Sequence, residues 1–347
     1  MKSTILAFAT LAAFAALFAP RSGVGVARAD QGKLASVGAA SGPACVLKGT
    51  FPGPKGTSIF DAPSGGRAVA AFTGAQQPMT LSDFPADPTA GRARIATSVG
   101  AGAFRVEGWV APSAIAVFTT RDLPIAPDHV WIASARRVRL VQAASGSLTA
   151  EMGVPGTSGQ TVRAPATCDA YSLQPGTPTP MAVPGNARGY LTRGSSLELR
   201  ESAGGAVIFT LKSAEGTAQL FWSNESRAGF VHVRARDSLV IDAWARLRDL
   251  EPLKKGEMMD QFAPPTTAVA AASLQLDGSA RLVKATRDIP FRPRREEKEK
   301  TIGVIEAGAE IYVLETLLGW ANVLPKDLGL TPAQDGGFWI PSGDVPK

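Results

Sequence analysis

EGWVAPSAI at residues 107–115, DAWARLRDL at 242–250 and GFWIPSGDV at 337–345 repeat one pattern at three distant places in the chain. Each sets a tryptophan (Trp109, Trp244, Trp339) before a small or apolar residue (Val110, Ala245, Ile340). A short turn-prone interval follows, and then an apolar residue six places on from the tryptophan (Ile115, Leu250, Val345). Repetition in register predicts an array of similar small modules rather than one large core. With 36 Gly and 26 Pro among 347 residues, only 3 Tyr and no sustained helical periodicity, the modules should be built of short strands and turns.

Working outward from the second copy, Leu197 and Leu199 alternate with polar neighbours. A turn at 201–205 follows, and then the β-favouring run 207–211. Two further strands, 219–222 and 229–233, flank the polar hairpin 223–226 before the Trp244 segment closes the module. The first copy keeps this order: Ile59 and Phe60, a turn at 62–66, Ala68–Phe72, a strand near Arg94-Ile95-Ala96, and Trp109. Setting Phe60 on Leu199 superimposes the two Gly-Gly pairs, and places Val69 on Ile208 and Phe72 on Leu211.

The last copy carries TIGVIEAGAEIYVLETLLGWANVLP at 301–325. Its apolar strand (Ile302 to Ile305), Gly308 turn, alternating strand (Ile311, Tyr312, Val313, Leu314), Gly319-Trp320 and following strand resemble the core of bacterial Src-homology-3-like domains. GFWIPSGDV resembles that family's closing Gly-Trp-Val segment, with Phe338 inserted. The resemblance implies an all-β chain of three or four small barrels, and binding of cell-wall peptides or protein partners without catalysis. Barrel folds host many functions, so the binding role is an expectation from the family.

The spacing of the tryptophans divides the chain further. Trp109 to Trp244 spans about two barrels and Trp244 to Trp339 one barrel plus a linker. We therefore expect barrels at 45–125, 187–256 and 280–347. Residues 126–173 are either a degenerate barrel with Thr167 in the tryptophan slot or an extension of the first. Linkers are expected at 30–44, at the Pro-rich 174–186 and at 257–279, and their composition implies modules that unfold independently.

Residues 1–29 read as a signal peptide. Lys2 precedes an uncharged apolar run at 5–18, too short to span a bilayer, and small residues allow cleavage after Ala27 or Ala29. No later stretch is long and apolar enough for a membrane helix. Loss of Lys2, Arg21 and Arg28 with this leader lowers the net charge from +6 to +3. The remaining charges are interspersed in sign, which argues against nucleic acid as a partner. The expected location is periplasmic or extracellular.

In that oxidising compartment the two cysteines, Cys45 and Cys168, most simply form one disulfide, whose loop of about 120 residues would contribute roughly 2 to 5 kcal/mol. The alternative is two unpaired buried thiols. Two Cys without neighbouring His fall short of a zinc site, and no Gly-rich phosphate loop supports a nucleotide, so no metal or cofactor is expected.

A small barrel can be filled by one large aromatic on its last strand, so Trp109, Trp244 and Trp339 are expected in the cores. Trp222, Tyr312 and Trp320 lie beside loops of variable length and are the candidate ligand-binding aromatics. Of the two histidines, His129 and His232, the second alternates with Val231 and Val233 and should face solvent. Neither Cys sits in a nucleophile motif, so catalysis by a Cys-His pair is not expected. Residues 281–300 carry eight basic and four acidic side chains, which read as a solvated loop or as a patch for an acidic polymer. Pro290 and Pro293 spell PxxP inside that loop, where a polyproline ligand role is not expected. The functional expectation is an exported envelope-binding protein, with peptidoglycan or cell-wall peptides as ligand. A protein scaffold and an unrecognised β-rich hydrolase are the alternatives.

Overall fold

The computed structural model describes residues 44–99, 104–254, 280–333 and 336–346. The expected signal peptide and the linker at 257–279 lie outside them, as does all but Ala44 of the linker at 30–44. Among the described residues the fold is all-β, and no helix is long and apolar enough to cross a membrane.

Four modules follow one another. The first holds Leu47–Pro52 (β1), Ser58–Phe60 (β2), Ala68–Phe72 (β3), Gln76–Ser82 (β4), Ala93–Val99 (β5) and Phe104–Val110 (β6). The second holds Val117–Thr119 (β7), Leu123–Ala126 (β8), Val130–Ile132 (β9), Arg137–Ala144 (β10), Ser147–Gly153 (β11), Thr161–Thr167 (β12) and Tyr171–Ser172 (β13). The third runs through Arg188–Thr192 (β14), Ser196–Arg200 (β15), Val207–Lys212 (β16) and Leu220–Ser223 (β17). It continues with Ser226–Arg227 (β18), Phe230–Arg236 (β19), Leu239–Arg246 (β20) and Leu250–Pro252 (β21). The fourth has Arg281–Lys284 (β22), Ile289–Phe291 (β23), Gly303–Ile305 (β24), Glu310–Leu317 (β25), Trp320–Pro325 (β26), Leu330–Pro332 (β27) and Trp339–Pro341 (β28).

All four share one pairing scheme. In each, the second and third strands form a hairpin, and the first and fourth strands begin a four-stranded path: β1-β4-β5-β6, β7-β10-β11-β12, β14-β17-β19-β20 and β22-β25-β26-β28. A single 3-10 turn then closes the module, at Pro112–Ala114, Cys168–Ala170, Leu247–Asp249 and Ser342–Asp344. In every copy the next residue (Ile115, Tyr171, Leu250, Val345) donates its backbone N–H to the first carbonyl of the turn. The strands form because apolar residues recur at every second position, as in β5, where Ala93, Ile95 and Val99 are buried and Arg94 and Ala96 exposed.

This scheme corrects two sequence readings. Thr119 lies opposite Tyr171 as Thr192 lies opposite Leu250, so residues 117–125 belong to the second module rather than the first. The turn at Cys168 also sets Pro165, and not Thr167, in the tryptophan slot.

The sheets stay open instead of closing into separate barrels, because strands of one module continue into another. β24 of the fourth module pairs with β6 of the first, and β27 with β3. β9 of the second pairs with β20 of the third, and Thr157 of the second bridges to Ser213 of the third. Gly303 makes the first of these contacts possible, since a Cβ there would lie 2.0 Å from the Arg105 carbonyl oxygen. Phe104 of the first module packs on Phe291 and Phe338 of the fourth, with centroids 4.5 and 5.4 Å away, and all three rings are fully buried. The expectation of independent modules is therefore replaced by two interlocked pairs, first with fourth and second with third. Cys45 and Cys168 form a disulfide that ties the start of the first module to the closing turn of the second.

Candidate functional site: aromatic rows on the outer sheet faces

Strand alternation places the repeated tryptophans away from the core. On β20 the inward residues are Ala243 and Ala245, both fully buried, and Trp244 between them is half-buried on the opposite face. On β6 the inward residues are Val106, Gly108 and Val110, and Trp109 is again half-buried on the other side. The expectation that Trp109 and Trp244 fill cores is corrected: small residues occupy the inward positions, and at Gly108 a Cβ would meet Ile59 and the Phe60 carbonyl. Trp339 is buried, yet it too faces away from Phe338 and Ile340, which supply the core.

Directly opposite residues in antiparallel strands share a face, and the tryptophans therefore occupy the same cross-strand row in three modules. The rows read Phe60, Trp109, Arg94 in the first module, Arg200, Trp244, His232 in the third, and Arg292, Trp339, Asn322 in the fourth.

The third module has the most developed face. His232 stacks on Trp244 with ring centroids 4.9 Å apart and planes 6° from parallel. Asp242 holds the Nε2 edge of His232, and Glu225 Oε2 lies 3.2 Å from Nδ1. Arg234 donates from Nε to Asp242 Oδ2 at 3.2 Å and lies 5.2 Å from the centre of the Trp222 ring. Trp222 is itself buried, and its indole N–H donates to Met181 Sδ at 3.0 Å, which docks the Pro-rich segment 174–186 onto this sheet. His129 of the second module reaches the same strand, with Nδ1 3.0 Å from the Asp242 carbonyl oxygen. Both histidines of the chain thus meet at Asp242.

On the fourth module Arg292 lies 5.5 Å from the Trp320 ring centre and Arg295 5.0 Å from that of Trp339. Tyr312 and Trp320 are half-buried on one sheet face, whereas Trp222 belongs to another sheet, so the three candidate ligand-binding aromatics do not form one site. The basic run 281–300 is more than a solvated loop. Two of its arginines cover tryptophans, Arg287 pairs with Asp344, and Glu299 pairs with Arg67 of the first module. Sequence reading missed Arg234 and Asp242, and placed Arg292 and Arg295 only within the basic run 281–300 and not over tryptophans, because each meets its aromatic across strands and not along the chain.

Chemically these faces offer half-buried rings at Trp109, Trp244, Tyr312 and Trp320 edged by cations and carboxylates, suited to hydrogen bonding and edge stacking, whereas Trp222 and Trp339 are buried under Arg234 and Arg295. Cys45 and Cys168 are joined, so neither is a free thiol nucleophile. Among the described residues no group of three or more His, Cys, Asp or Glu is placed to hold a metal ion.

No family model and no curated protein matches the chain. Among solved structures, NlpC2 and NlpC1 from Trichomonas vaginalis align with 46% of this chain at 9% and 8% identity, each with a TM-score of 0.16. The aligned parts are 48% and 46% of those two chains, so the chain spans about half their length, and a likeness at this level carries no argument.

Proposed function

We propose that the chain is an exported, non-catalytic binding protein of the cell envelope, assembled from Src-homology-3-like modules, that holds a cell-wall polymer across several outer sheet faces. The observation that carries this reading is the recurrence of one tryptophan row, each with a polar or basic neighbour, in three modules of a single compact unit. Stacking on one such face gives modest affinity, and several faces on one polymer multiply it. The strand order with a 3-10 turn before the end of each module supports the family resemblance, and the disulfide supports an oxidising compartment.

Co-sedimentation with purified peptidoglycan tests the proposal. The expected result is binding that survives moderate salt and falls on Trp244→Ala, and likewise on Trp320→Ala or Tyr312→Ala. Absence of sedimentation at any salt would remove the polymer reading and leave the scaffold, and release of cell-wall fragments would point instead to a hydrolase.

A further inference from the structure

The second module lacks the tryptophan, and a cleft lies on the face that the aromatic rows occupy elsewhere. Its equivalent row is Pro165, Thr149 and Gln142, and the next row is Arg163, Glu151 and Arg139. The cleft, about 290 Å³, is lined by Arg139, Gln142, Thr149 and Arg163 on the second module and by Asp87 and Thr89 on the first. An Ala143 N–H donated to the Ala86 carbonyl at 3.0 Å holds the first module's loop against the second.

The charges in this cleft are arranged rather than scattered. Glu151, with a side chain 8% exposed, accepts from Arg163 Nε at 2.8 Å and from Arg139, and the two guanidinium groups hold its carboxyl below the usual range. Each arginine spends one nitrogen on Glu151, and both side chains remain more than half exposed, which leaves further N–H donors for a ligand. Across the cleft, Asp87 is held by the Thr89 backbone N–H at 2.8 Å and by its hydroxyl at 2.5 Å. One wall therefore presents two oriented cations whose shared carboxylate is already satisfied, and the other presents an anion.

We propose that this cleft binds a small zwitterion, an amino acid or short peptide with both charges free, whose carboxylate meets Arg139 and Arg163 and whose ammonium meets Asp87. A fork of N–H donors matches a carboxylate in two parallel bonds. A ligand carrying only a carboxylate would face Asp87 without compensation. The volume sits at the small end of ligand cavities. This inference does not rest on the aromatic faces, which lie on other modules.

Calorimetric titration of the full chain with alanyl-alanine, N-acetyl-alanyl-alanine and alanyl-alanine amide separates the outcomes. We expect only the zwitterionic dipeptide to bind. Arg163→Gln should weaken it roughly tenfold, as loss of one charge-assisted contact. Arg163→Lys should restore part of that loss, and Asp87→Asn should weaken the dipeptide while narrowing its advantage over the acetylated form. Unchanged thermal midpoints show that the variants remain folded, and a variant that shifts its midpoint is replaced by titrating the unmodified protein at rising salt, where charge recognition should fade. Equal binding of the acetylated peptide, binding unaffected by either variant or by salt, or no binding of any of the three would each overturn the proposal.

Discussion

At Trp244 and Trp109 the deciding fact is which neighbour points inward. A small residue on each side of Trp244, and Gly108 with Val110 around Trp109, leave room inside only for the small side chains, and the indole must stand on the other face. That alternation was legible in the sequence, because Val106, Gly108 and Val110 are two apart and run continuously into the core pattern. The size of tryptophan suggests a core filler, and period-two geometry overrides it. Tyr171 shows the opposite case. In the slot that Ile115, Leu250 and Val345 fill elsewhere, it is buried and donates its hydroxyl to the carbonyls of Leu148 and Ala164 at 3.0 and 3.3 Å.

Burial pushes the Tyr171 hydroxyl up to about 12. Since the unfolded chain would ionise near pH 10, this raised value contributes stability that is fully present below about pH 10 and is lost as pH climbs toward about 12. Urea midpoints measured at pH 8 and 11 should fall more steeply in the unmodified protein than in Tyr171→Phe, although the variant starts lower for want of its two hydrogen bonds. Parallel slopes would refute this.

Among the elements, the hairpins and the closing turns were the readable parts. Gly-Gly pairs, polar turns and alternating runs are local signals, and they locate β2, β3, β15 and β16 from the sequence. Partner choice for β24 was not readable. Its neighbour β6 lies about two hundred residues earlier, and three apolar residues fit any free sheet edge. What selects the pairing is Gly303, whose missing Cβ admits the Arg105 carbonyl and the Phe291 ring. Gly303→Ala should therefore displace β24 from β6 and cost about 1 to 3 kcal/mol, in the range of overpacking a core. Amide hydrogen exchange would locate the damage: protection should drop at Glu107, whose N–H donates to the Ile302 carbonyl across this pairing, while β19 and β20 keep theirs. A uniform drop across the chain would contradict a local effect.

For the whole molecule, tandem order in sequence does not carry over to order in space. Pro-rich composition correctly marks 174–186 as free of strands, but Met181 docks that segment at Trp222, so composition alone did not announce a loose tether. The contact of Phe338 with Phe104 predicts shared fate for modules at opposite ends of the described chain. Phe338→Ala should cost about 3 to 5 kcal/mol, and it should lower the melting of the first and fourth modules together. Calorimetric scans would show this as one depressed transition containing both, with the second and third modules retaining theirs. A loss confined to residues 280–346 would mean the pairing is too weak to couple them.

Numbered along the chain, the modules pair like nested brackets, the inner two closing on each other and the outer two around the sequence between them. A chain that emerges N-terminus first can close the inner bracket as soon as residue 252 is out. The first module must by then have waited with β3 and β6 uncovered, and it waits longer still for β24 and β27. During that interval its strand edges and Phe104 are the surface most open to wrong partners. The Cys45 to Cys168 bond joins residues that are both present well before the fourth module appears, and so it can hold the unfinished half in place until the last segment arrives.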